Sequence, residues 1–277
     1  WQNLGGDLFY FNADGCLARS QWIGSGDWTY YVGADAKALY NGFQDVEGKT
    51  YYFTTWQTLF RQLGLQTIGQ DLYYFQNDNS ILKNSWKAEN SAKYWFGADG
   101  KAATSFTDIG SDTYYFDSDH KMVSMGWQNF GGDLFYFNAD GRLARSQWIG
   151  SGDWTYYVGA DAKAVRNGVH EIGGKYYLFN VVQCLIRFAN SGWNTYESAL
   201  YYSTDKESIL VSQWIGENPW KYYVGSDGKA YPEGLHAIEG KYYLFGPYQN
   251  IYCAASAAGG WQVIGDELYF IAGDDSV

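Results

Sequence analysis

Residues that usually supply corners, staples and gap-fillers are scarce in this chain: 277 residues hold only 3 Pro, 3 Cys and 2 Met. The cysteines, Cys16, Cys184 and Cys253, are odd in number and widely spaced, which gives neither a metal-ligand pattern nor a disulfide framework. No run of 18 apolar residues exists, so no membrane insertion is expected, and no charged-then-apolar N-terminus marks a signal peptide. Positive charge is also in deficit. Lys and Arg total 19 against 30 Asp and Glu, a formal net charge of −11. Such a surface repels phosphate backbones and anionic lipid, which excludes nucleic acid as a partner and leaves neutral or cationic ligands.

What the chain has in excess is flat rings and glycine. Aromatics make up 20% of it, with 27 Tyr, 16 Phe and 13 Trp, beside 34 Gly. Rings joined by Gly-rich turns favour short strands over helices.

The sequence also repeats. Residues 127–164 return residues 1–38 with two changes, Leu4 to Phe130 and Cys16 to Arg142. A position that takes Cys in one copy and Arg in the other reads as exposed. Inside this long repeat lies a shorter one of about 21 residues, with openers at Trp1, Trp22, Phe43, Leu65, Trp86, Phe106, Trp127, Trp148, Val169, Trp193, Trp214, Leu235 and Trp261. Each unit has an apolar opener, a polar turn, an aromatic doublet or triplet and a second turn such as Asn12-Ala13-Asp14-Gly15, the signature of a β-hairpin plus its connection. A lone hairpin is marginal in water, so the units must stack to bury their rings.

The units fall into three kinds in fixed order: one opening Trp-Gln-Asn and carrying Leu-Phe-Tyr-Phe, one opening Trp-Ile-Gly, and one carrying Gly-Lys-x-Tyr-Tyr. The expected fold is all-β: a β-solenoid of tandem β-hairpins, about three hairpins per turn. It is expected to run over 1–277 as a single array of about thirteen units, the last truncated, within a fragment of a larger secreted protein.

Segments such as GGDLFYFNADGRLARSQW resemble the cell-wall-binding repeats, a family that includes choline-binding modules, glucan-binding domains of glucansucrases and the C-terminal repeats of clostridial toxins. The resemblance covers essentially the whole chain. It implies a hairpin solenoid with ligands in grooves between successive hairpins, on a secreted or bacterial cell-surface protein. In the choline-binding subgroup a Trp precedes the aromatic doublet; here that place holds Leu8, Thr29, Thr50, Leu72, Lys93, Thr113, Leu134, Thr155 and Lys221. The likeness is nearer the glucan-binding and toxin type, so the expected partner is a polysaccharide or other glycan, with choline, or a protein met by an adhesin scaffold, as alternatives.

The second kind of unit carries the candidate ligand-binding residues. Trp22 and Trp28, Trp148 and Trp154, and Trp214 and Trp220 each lie six residues apart. Strand alternation would place Trp28 with Tyr30, Trp154 with Tyr156 and Trp220 with Tyr222 on one face. Gln21, Gln147 and Gln213 beside the opening Trp, with Asp27 and Asp153 in the turn, could serve sugar hydroxyls. A fourth unit keeps Trp86 but has Ala92 in place of the second Trp, which predicts three good sites and one weakened one.

Catalysis finds little support. Asp14, Asp35, Asp99, Asp140, Asp161 and Asp227 recur in one turn position, which is a structural pattern. His170 and His236 stand where an earlier unit has Gln44, which reads as a surface position. Calcium-loop and phosphate-loop spacings are absent, so a non-catalytic module without metal or cofactor is expected.

Overall fold

The computed structural model describes all 277 residues. The chain is all-β, built of thirteen antiparallel hairpins, and its helical content is limited to two three-residue 3-10 turns, Gly26–Trp28 and Gly152–Trp154. No helix is long and apolar enough to cross a membrane. Two compact units are formed, Trp1–Gly126 with Phe137–Leu143, and Trp127–Tyr136 with Ala144–Val277.

Ring placement follows strand alternation. In Lys49–Phe53, Tyr51 and Phe53 turn inward, while Tyr52 pairs across the hairpin with the opener Phe43. Phe75, Phe96 and Phe116 repeat the Phe53 position in the first unit, as Phe179 and Phe245 do in the second, and all are fully buried. Each unit therefore has a row of phenyl rings as its core rather than an aliphatic centre.

Successive hairpins are tied by a recurring backbone bond. In the first unit the N–H of Ala38 donates to Leu8 O, Leu59 to Thr29 O, Ile81 to Thr50 O, Ala102 to Leu72 O, Met122 to Lys93 O and Leu143 to Thr113 O, all at 2.7–2.9 Å. In the second, Ala164 donates to Leu134 O, Leu185 to Thr155 O, Ala230 to Leu200 O and Ile251 to Lys221 O, at 2.7–2.9 Å. The acceptor is always the residue just before the aromatic doublet. Around Tyr176 the bond widens into strand pairing, because Ser208–Ile209 joins Lys175–Phe179 to Ala199–Ser203 in one five-stranded sheet.

Beside half of these backbone bonds, and beside the strand pairing at Tyr176, lies an ion pair. The first residue of the second strand meets a charge in the next hairpin's turn: Asp7 with Lys37 at 2.6 Å, Lys49 with Asp78 at 2.6 Å and Asp71 with Lys101 at 2.7 Å, then Asp133 with Lys163 at 2.7 Å and Lys175 with Asp205 at 2.7 Å. The Lys49 ammonium and the Ser80 hydroxyl hold the Asp78 carboxyl down to about 2, and Lys175 likewise depresses Asp205. Turn geometry explains the repeated aspartates. Asp14, Asp35, Asp99, Asp161 and Asp227 each accept the N–H two residues on, at 2.9–3.1 Å. His170 and His236 bond the carbonyls of Arg166 at 2.7 Å and Pro232 at 2.9 Å, the role Gln44 plays toward Tyr40.

Candidate functional site

The Trp-Ile-Gly units depart from this plan at one place, and the glycine is the reason. A Cβ on Gly24 would lie 2.1 Å from Trp28 O, on Gly150 2.1 Å from Trp154 O and on Gly216 2.4 Å from Trp220 O, and all three have positive φ. The strands therefore stop after three residues, Gln21–Ile23 pairing Tyr30–Val32 in the first copy, and the chain between them closes a tight turn. Its N–H bond runs from Trp28 to Ser25 O at 3.2 Å, from Trp154 to Ser151 O at 3.3 Å and from Trp220 to Glu217 O at 2.7 Å. This turn lifts the second Trp out of the sheet. Trp28 is 71% exposed, Trp154 68% and Trp220 58%.

The opening Trp goes the other way. Trp22 packs with Tyr31 and Tyr51 at centroid distances of 5.0 and 5.1 Å and stacks on Phe53 at 6.2 Å. Trp148 and Trp214 repeat the arrangement on Phe179 at 6.0 Å and Phe245 at 6.2 Å. The six tryptophans predicted to act in pairs thus divide into three that join hairpins and three that face solvent. Tyr30, Tyr156 and Tyr222 lie against Trp1, Trp127 and Trp193 of the preceding hairpin at 4.6–4.7 Å. Gln21, Gln147 and Gln213 are exposed, and Gln213 lines a different cleft, with Lys175 and Tyr176.

In the first copy the second Trp meets the turn of the following hairpin. A cleft of roughly 390 Å³ is lined by Asp27, Trp28, Tyr30, Trp56 and Thr58. Trp56 was not among the sequence candidates, although it is 81% exposed. It stands at the third turn position, where Asp14, Asp35, Asp78 and Asp99 stand in neighbouring turns. The other two copies make the same exchange: the turns tied beside Trp154 and Trp220 carry Val182, 57% exposed, and Tyr248, 74% exposed, in place of Asp.

The place of Trp28, Trp154 and Trp220 is the first residue of the ion-pair ladder, and the place of Trp56, Val182 and Tyr248 is one its acidic partner uses, as Asp78 does. At three positions an inter-hairpin ion pair has thus been exchanged for two solvent-facing apolar side chains. The exchanged turns also lose the Asp cap; in the second copy Asn180 Oδ1 accepts from the Cys184 N–H in its place at 2.9 Å, and in the first Thr54 Oγ1 accepts from the Trp56 N–H at 3.2 Å. A third feature travels with them: the side-chain oxygens of Gln57, Gln183 and Gln249, the fourth residue of these three turns, are buried without a hydrogen-bond partner.

No protein-family model matches the chain. Glucosyltransferase-S of Streptococcus mutans serotype c is 28% identical over 129 residues, covering 37% of this chain, and the match spans only 9% of that protein. Among solved structures, CbpJ from Streptococcus pneumoniae TIGR4 aligns over 91% of this chain and 99% of its own, with a TM-score of 0.66 and 18% identity. Choline binding protein F from Streptococcus pneumoniae, solved in the presence of a peptidoglycan analogue, aligns over 90% of this chain and 100% of its own, with a TM-score of 0.58 and 21% identity. The chain shares the fold of these two proteins.

Proposed function

We propose that this chain is a non-catalytic carbohydrate-binding module that holds a secreted or surface protein to cell-wall or extracellular polysaccharide. The hairpin-to-hairpin ladder within each unit supports a β-solenoid with about three hairpins per turn, which presents each Trp-Ile-Gly turn beside the next hairpin. The observation that carries the reading is the threefold exchange of an ion pair for exposed apolar side chains at Trp28 and Trp56, Trp154 and Val182, and Trp220 and Tyr248. An exposed ion pair is worth only about 0–1 kcal/mol, so its loss costs the fold little, whereas an open indole platform suits the apolar face of a pyranose. In the first copy Asp27 and Thr58 flank the platform and can meet hydroxyls. Each cleft alone is weak, and retention comes from several engaging one polymer.

A second reading applies to one cleft. Three rings, Trp28, Tyr30 and Trp56, with the Asp27 carboxylate also suit a quaternary ammonium group such as choline. The turn at Trp220 suits it less, because the next residue is the cation Lys221, whose ammonium lies 4.7 Å from the Trp214 ring.

Retention of the protein on insoluble α-glucan and on purified wall polysaccharide tests the proposal, with choline as competitor. The Trp28→Ala, Trp154→Ala, Trp220→Ala variant should lose retention while melting like the parent. A variant that is retained like the parent would refute the assignment, and elution of the parent by choline alone would transfer the first cleft to the amine reading.

A further inference from the structure

The fourth Trp-unit is not simply a decayed copy. Where the other three have Ile23, Ile149 and Ile215 it has Lys87; where they have glycine it has Ala88; where they have the exposed Trp it has Ala92; and where two of them have Thr29 and Thr155 it has Lys93. Without the glycine the tight turn cannot form, and Ser85–Glu89 pairs along its full length with Ala92–Phe96. The following turn keeps the ordinary Asp119, which pairs with Lys121 at 3.0 Å.

Elsewhere on the same hairpin lies a cleft of roughly 320 Å³, walled by Trp86, Lys87, Lys93, Tyr114, Asp140 and Arg142 among others. Trp86 is packed edge-on against Tyr114 at 4.9 Å and keeps part of its indole in solvent. Lys87 meets Glu89 at 3.8 Å and lies over the Tyr74 ring at 4.2 Å, and Arg142 meets Asp112 at 3.4 Å, while Lys93 is exposed and forms no ion pair. In a chain with eleven more acidic than basic residues, this aromatic-walled cleft carries three cations in its lining against one carboxylate, Asp140. Glu89 and Asp112 offset Lys87 and Arg142 at close range, so Lys93 is the lining cation without a carboxylate partner.

We propose that this cleft binds a sugar unit bearing an anionic substituent, a carboxylate or a phosphate, with its ring against Trp86 and its charge met by Lys93 and Arg142. Planar Arg donors and a mobile Lys ammonium suit either group. The site is separate from the three Trp clefts and does not depend on the reading given to them.

Calorimetric titration of the full chain with an oligogalacturonide, a phosphate-bearing oligosaccharide and a neutral glucan hexasaccharide tests it. At least one anionic probe should bind in a salt-sensitive way, and which of the two does so identifies the substituent. Lys93→Thr restores the residue found at the equivalent place in two sister units and should weaken that binding about fivefold, with about tenfold or more expected for Lys93→Thr with Arg142→Ala. Neutral-glucan binding should be unchanged in both variants, and the Trp28, Trp154, Trp220 triple variant should keep its anion binding. If neither anion binds more tightly than the neutral probe, if the Lys93 and Arg142 variants bind it like the parent, or if the triple Trp variant loses it, the proposal is wrong.

Discussion

The units opening at Trp22 and Trp86 share an opening tryptophan, a hairpin register and a core stack, yet only the first raises an indole into solvent. In both, the opener packs on rings of the next hairpin, Trp22 on Phe53 at 6.2 Å and Trp86 on Phe116 at 5.9 Å. The difference lies in Gly24 against Ala88 and Trp28 against Ala92, and extends to the next hairpin, where Trp56 faces the first and Asp119 follows the second. Side chains that stabilise are kept in both units, and those that vary together are exposed. Joint variation across two hairpins is expected when a ligand spans them.

The largest expected break in this comparison is on the stability side. Trp22→Ala removes a ring that bridges two hairpins and should cost about 3 kcal/mol in denaturant unfolding, whereas Trp28→Ala should stay within about 0.5 kcal/mol. Equal losses for the two would erase the division between joining and presenting tryptophans. Gly24→Ala is expected to cost about 1–2 kcal/mol and to remove one of three clefts, since the new Cβ meets Trp28 O and the residue must hold positive φ. A Gly24→Ala protein with full binding stoichiometry would show that the turn does not position Trp28.

The comparison can also be sharpened by conversion. Ala88→Gly, Ala92→Trp and Asp119→Trp together should add one glycan site, read as a stoichiometry rising from three to four on a short neutral oligosaccharide. The smallest effect concerns the ion pairs. Asp78 and Asp205 have depressed folded-state values, so the stability they contribute is present above the ordinary carboxylate value of about 4 and is lost as pH falls through their folded values, near 2 for Asp78. These pairs are exposed, so Lys49→Ala should lower the denaturation midpoint only slightly at neutral pH and not measurably at pH 2.

Much of this was legible in the residues. The 21-residue period, the Asp-bearing turns and the aromatic doublets announced hairpins, because each feature answers to local geometry that needs no distant partner. The contrast between Trp28 and Ala92 was visible as well. Sequence alone could not divide Trp22 from Trp28: alternation was carried through Trp28 as though it lay in a strand, but Gly26–Trp28 is a 3-10 turn imposed by Gly24. Trp56, Val182 and Tyr248 were missed because their turns had lost the Asp used to align the others. Asking which turns lack that Asp would have found them, since all three precede a buried Gln at the same offset.

The account rests on three indoles being exposed for a ligand, and the indole N–H signals of the 13 tryptophans report on that directly. In a two-dimensional NMR titration with a neutral glucan oligosaccharide, the signals of Trp28, Trp154 and Trp220, assigned by single substitution, should shift together with that of Trp56, while those of Trp22, Trp148 and Trp214 stay in place. Shifts confined to the second group, or none at saturating sugar, would contradict it.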